Sequence, residues 1–135
     1  MQPTIEKVIT LKSVDLFART PDDVLAQLAG ELETIDVPAG ETIIRKGELG
    51  DSLYVIASGA VRVHDADTTI ATLGEREIFG ELAVLDPEPR SASVTAQTAV
   101  RLYRLDRDAL FELLPDHIEI VRGIFHVLCG RLRRR

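Results

Sequence analysis

Phe79-Gly80-Glu81-Leu82-Ala83-Val84-Leu85-Asp86-Pro87-Glu88-Pro89-Arg90-Ser91-Ala92-Ser93-Val94 interrupts a series of short strands between two sheet segments. Gly80 lets a backbone come close to a ligand, and Glu81-Leu82-Ala83-Val84 is long enough for one helical turn. The N–H groups and positive dipole end of such a turn suit a phosphate. Arg90 follows a proline that restrains its backbone, so a forked, permanently charged donor is held where the next strand begins. Glu81 is out of place beside an anion unless it has a neutral donor to bind, and a ribose hydroxyl is one. Carboxylate for sugar and guanidinium for phosphate together specify a nucleotide. The competing reading is a Glu81–Arg90 ion pair across a surface loop, which contributes little.

Outward from this segment the apolar period is two. Ile35 and Val37 precede a Pro38-Ala39-Gly40 turn, and Ile43 and Ile44 precede Gly47-Glu48-Leu49-Gly50-Asp51. Leu53, Val55 and Ala57 alternate, Gly59 breaks the run, and Val61-Arg62-Val63-His64 resumes it before an Asp65-Ala66-Asp67 turn. Ile70 and Leu73, Ser91 to Thr95 and Val100 to Leu105 supply further strands, the spacing of a sandwich or barrel.

Helices are expected at both ends. Ile5, Val8, Ile9 and Leu11 recur at near-helical spacing, and Thr20-Pro21-Asp22-Asp23 starts a second helix, capped by Thr20 and running to about Leu32. Asp106 reads as the cap of a third helix that Pro115 ends, with a last helix beyond it. That helix carries two apolar lines, Ile118, Val121, Phe125, Leu128 and Leu132, and Ile120, Ile124 and Val127. Two faces need two partners: the roll and the first helix of the same chain, or one of these and a dimer seam. Phe125 is read as core, and Cys129 as a small buried apolar group.

One domain spanning 1–135 is expected, with helices over about 1–32, a β-roll over about 33–105 and C-terminal helices over about 106–132. The 135 residues are 45% hydrophobic, enough for one core without disulfides or a structural metal. With no tryptophan, four phenylalanines and two tyrosines, that core is mostly aliphatic. The single cysteine permits no internal disulfide, which fits a reducing, cytoplasmic setting. No apolar run approaches the roughly 20 residues that span a bilayer, so no membrane contact by this segment is expected. A net charge of −6 repels polyanions, which argues against nucleic acid as a partner and requires a local site for any anionic ligand. Arg131, Arg133, Arg134 and Arg135 form the one basic concentration, read first as a helix end favoured by the dipole.

The segment closely resembles the phosphate-binding cassette of the cyclic-nucleotide-binding domain family, found in regulatory subunits of cAMP-dependent protein kinase, in the bacterial catabolite activator protein and in cyclic-nucleotide-gated channels. Phe79-Gly80-Glu81-Leu82-Ala83 and Pro89-Arg90-Ser91-Ala92-Ser93-Val94 match the family pattern F-G-E-L-A, spacer, P-R-x-A-x-V at every stated position. Lys46 to Ile56 with Gly59 resembles the family's glycine-turned hairpin, and the resemblance covers roughly Leu11 to Leu132.

The resemblance implies a mainly β fold with flanking helices: an eight-stranded β-roll (a double-stranded β-helix, or jelly roll), an N-terminal helical bundle and two C-terminal helices, B and C. It implies a regulatory sensor that binds cAMP or cGMP, without catalysis, cofactor or metal, and couples binding to movement of the last helix. Glu81 would accept from the ribose 2′-hydroxyl and Arg90 would pair with the cyclic phosphate. Phe79, the amides of Gly80, Leu82 and Ala83, and Ser91 with Ala92 would complete the pocket. Leu128, Arg131 and Leu132 are candidates for covering the base. In the family the residue after the arginine bears on base choice, and Ser91 can bond phosphate, guanine or both; cAMP is the favoured expectation. The output partner would be a homodimer through the last helix or an effector domain in a longer chain. The alternative is a degenerate β-roll that binds no nucleotide and serves a larger protein as an interaction module. A catalytic cupin-like roll would need clustered histidines, but His117 and His126 fall on the last helix and leave only His64 on a strand.

Overall fold

The structure, a computed structural model, describes residues 3–133; Arg134 and Arg135 of the basic end lie outside the described residues. Two compact units are present, one joining the described residues up to Leu32 with those from Asp108 onward, the other running from Glu33 to Arg107.

In the first unit, α1 (Pro3–Ser13) packs on α2 (Asp22–Glu31), with a 3₁₀ turn at Asp15–Phe17 between them. Leu11, Leu16, Phe17, Leu25 and Leu28 are buried. Thr20 does not cap α2. Its amide donates to Phe17 O at 3.0 Å, a turn that buries the whole residue and leaves Oγ1 without a partner among the described residues. Pro21 takes the cap position in extended conformation, and its carbonyl accepts from Val24 at 3.1 Å and Leu25 at 2.9 Å.

The second unit is built of antiparallel strands: β1 (Glu33–Val37), β2 (Thr42–Ile44), β3 (Leu49–Gly50), β4 (Ser52–Ser58), β5 (Val61–Asp65), β6 (Thr68–Leu73), β7 (Ile78–Phe79), β8 (Glu88–Pro89), β9 (Ser93–Ala96) and β10 (Val100–Asp106). Eight of them form two four-stranded sheets, β1-β10-β4-β7 and β2-β9-β5-β6, and β3 with β8 makes a separate ribbon. This is the eight-stranded, mainly β roll with flanking helices that the sequence implies, an open pair of sheets and not a closed barrel. Both sheets contribute to one buried cluster that includes Val37, Ile44, Ile56, Val61, Phe79, Val94 and Leu102. Asp106 ends β10, and its carboxylate accepts from Ser52 Oγ at 2.9 Å and pairs with Arg104 at 2.8 Å.

The chain then forms α4 (Arg107–Leu113), a 3₁₀ turn around Pro115, and α5 (Ile118–Arg133). Ile120 and Ile124 are buried, and Gly123 lies so near the Asp15–Phe17 turn that a Cβ there would stand 3.2 Å from Leu16 O. Phe125 is not core: it is 62% exposed, on the face it shares with Ile118 and Leu132. Cys129 is likewise exposed and not buried. Both residues fall off the buried Ile120–Ile124 line as α5 turns.

Candidate functional site

The cassette hangs between two ladders. On one side, β7 pairs with β4 through Phe79↔Tyr54 and Ile78↔Val55, which carries the chain to Gly80. Phe79 is buried and its ring stacks on Tyr54, so it belongs to the core beneath the loop. Gly80 has φ +78, a conformation that side chains with a Cβ rarely adopt, and a Cβ here would stand 2.8 Å from both Ser52 O and Arg90 Nη1. Two constraints, conformational and steric, therefore demand glycine at this position.

Gly80 turns the chain into α3 (Glu81–Leu85), the single helical turn read from the sequence. Ala83 is buried and its amide donates to Gly80 O at 3.2 Å, closing that turn. Glu81 and Leu82 come at the end of the helix where amides lack an intrahelical acceptor, and the Glu81 side chain is half-buried.

On the other side, the β3–β8 ribbon delivers Arg90. Its amide donates to Glu48 O at 2.7 Å and its carbonyl accepts from Gly47 N at 2.8 Å, so the main chain of Arg90 extends the ribbon by one rung. The half-buried side chain crosses Gly50 and donates from Nη2 to Ser52 O at 2.9 Å. That is its one hydrogen bond among the described residues, so most of the five guanidinium donors remain for a ligand. Because Nη1 lies against Gly80, the cation sits at the residue that opens α3, immediately before Glu81.

Of the residues singled out by sequence, Gly80, Glu81 and Arg90 are thus brought to one place. Ser91 is exposed and Ala92 half-buried just past Arg90, where the chain enters β9. Leu128, Arg131 and Leu132 lie on α5 in the helical unit. Two participants escape sequence reading: Gly50, which leaves room for the arginine, and the main-chain carbonyl of Ser52, which receives its hydrogen bond. Their role depends on strand register, which no local pattern reveals. Among the described residues, no three His, Cys, Asp or Glu side chains are grouped as metal ligands, and no helix is long and apolar enough to cross a membrane.

Comparison with known proteins meets the same residues. The family model described as the cyclic nucleotide-binding domain matches residues 34–117, which include the entire cassette. The chain is 36% identical over 129 residues to a CRP-like cAMP-activated global transcriptional regulator of Mycobacterium tuberculosis, with 92% of this chain and 58% of that protein covered. It is 38% identical over 120 residues to a cAMP-dependent protein kinase regulatory subunit of Aspergillus fumigatus, covering 87% of this chain and 28% of the relative. The chain therefore spans less than two thirds of either relative. Among solved structures, the N-terminal domain of a transcriptional regulator from Streptomyces coelicolor A3(2) superposes with a TM-score of 0.85 at 32% identity, covering 93% of this chain and 90% of that one. The motif, the two-sheet roll that carries it and these matches converge: the chain belongs to the cyclic nucleotide-binding domain family.

Proposed function

We propose that this chain is a sensor that binds a cyclic mononucleotide, cAMP in preference to cGMP, and performs no catalysis. The observation that carries this reading is the Arg90 guanidinium, anchored by one N–H on Ser52 O and resting against Gly80 where α3 begins. An anion held there faces a cation and helix-end amides together, and Glu81 follows at once to accept from a sugar hydroxyl. Two relatives whose names specify cAMP support the choice of base. Ser91, the exposed residue after the arginine, would serve either phosphate or base. A cyclic phosphate carries a single negative charge and 5′-AMP nearly two, so one arginine in a small site favours the cyclic form.

Output follows as linkage. We assign it to α5, with Leu128, Arg131 or Leu132 covering the base: a helix that favours the occupied site is shifted by the ligand's differential affinity. Ile118, Phe125 and Leu132 recur every seven residues on the exposed face of this helix, with Val121 and Leu128 between them, a pattern that a second copy can complete as a two-stranded seam. An effector domain in a longer chain is the other receiver, and a reducing cytoplasm suits the exposed, unpaired Cys129.

Calorimetric titration with cAMP, cGMP and 5′-AMP tests the reading. Saturable heat with cAMP, weaker with cGMP and weakest with 5′-AMP, is expected. Silence with both cyclic nucleotides overturns it in favour of a roll that acts only as an interaction module.

A further inference from the structure

We infer that Arg104 is a positioning residue that joins the nucleotide site to both crossings of the chain between the β-roll and the helices. The inference rests on the cyclic-nucleotide reading of the site and assigns a route by which occupancy reaches the helical ends. The roll begins at Glu33 and ends at Arg107. Strand β10 lies between β1 and β4, and its register sets Arg104 opposite Glu33 on one side and Tyr54 on the other, with Asp106 opposite Ser52. Directly opposed residues share a face of the sheet, so the entry strand, the exit strand and the strand beneath the cassette meet around one guanidinium.

Its fork engages both ends of the roll. Nη1 donates to Glu33 Oε1 at 3.2 Å, and Nη2 pairs with Asp106 Oδ1 at 2.8 Å. The same Asp106 oxygen accepts from Ser52 Oγ at 2.9 Å, and the Ser52 carbonyl accepts from Arg90 Nη2 at 2.9 Å. Ser52 is buried, so its bonds are sheltered from water. A second line runs through Tyr54, whose ring stacks on Phe79, the residue before Gly80. Arg104 therefore stands where a change at Arg90 or Gly80 is passed to the first and last residues of the roll. Ion pairs to carboxylates as exposed as Glu33 and Asp106 contribute little to stability, and cutting them leaves the strand ladders in place. Lysine, a point charge without the fork, cannot fully reproduce two donors aimed at two carboxylates.

Hydrogen exchange with and without saturating cAMP tests this on the wild-type chain and on Arg104→Met, Arg104→Lys and Glu33→Gln, with affinity read by calorimetry. In the wild type, cAMP is expected to alter exchange in α2, which precedes Glu33 in the chain, and in α4, which follows Asp106. Arg104→Met should bind cAMP within about threefold of wild type yet lose about half or more of the exchange response in both helices. Arg104→Lys should recover part of it. Glu33→Gln cuts one arm at an exposed carboxylate and should blunt the response of α2 while sparing that of α4; it also carries the test if Arg104→Met does not fold. A full response in Arg104→Met, or in α2 of Glu33→Gln, overturns the inference and leaves the site reading intact. So does a wild type that binds cAMP with no response in either helix, or a folded Arg104→Met chain that no longer binds it. A wild-type chain silent to cyclic nucleotides overturns the site reading and this inference with it.

Discussion

Tyr54 and Phe79, directly opposite each other on the β4–β7 ladder, stack with ring centroids 5.0 Å apart and planes 12° from parallel. The pair anchors β7, a strand of only two residues, one position before Gly80. Phe79→Ala removes a buried aromatic ring and should cost about 3–5 kcal/mol, a large share of the roughly 5–15 kcal/mol that holds a domain folded. Urea denaturation of the ligand-free chain measures the loss; a midpoint near that of wild type would show that the loop does not depend on this ring.

Arg90→Ala acts on affinity and not on fold. The main-chain bonds to Gly47 and Glu48 do not require the side chain, whereas the charge-assisted contact with phosphate proposed above does. Loss of about 1.5–3 kcal/mol of binding, roughly 10- to 150-fold in the cAMP dissociation constant, is expected with an unchanged melting temperature. An unaltered constant would remove Arg90 from the site.

Arg76 stands at φ +70 in the exposed Gly74–Glu77 turn, where its amide donates to Ile56 O at 2.8 Å. A left-handed conformation costs a residue with a Cβ about 1–2 kcal/mol, partly offset by the greater unfolded freedom of glycine. Arg76→Gly is therefore expected to raise stability by up to about 1 kcal/mol, and Arg76→Val to lower it. Thermal melts of the two variants should move in opposite directions; a shift the same way in both would contradict the turn geometry.

Phe125→Glu places a charge at the centre of the exposed α5 line. If two copies join through Ile118, Phe125 and Leu132, sedimentation should show the wild-type chain dimerising and the variant monomeric at the same concentration, with circular dichroism unchanged. A monomeric wild type would send the output to an effector domain instead.

Local rules made much of this molecule readable. Alternation at Leu53, Val55 and Ala57 and the break at Gly59 locate β4 and its turn into β5, and Pro115 marks the 3₁₀ step between α4 and α5. The single turn of α3 follows from its length and from the glycine before it. Readings failed where tertiary context decides. Thr20 has a capping side chain, yet the preceding turn carries it inside; Phe125 and Cys129 have core composition, yet α5 turns them outward. Gly50 was visible only as punctuation in a loop. Its value to Arg90 arises from pairing between strands some forty positions apart, and pairing is not written in either strand alone.

The ribbon rung made by Arg90 separates the mount from the instrument. Backbone atoms clip position 90 to Gly47 and Glu48 for any residue but proline, while the proposed ligand contact belongs to the side chain. Specificity at this point can consequently be rewritten by single substitutions without dismantling the scaffold, and a nonbinding descendant of such a domain can keep its shape unimpaired.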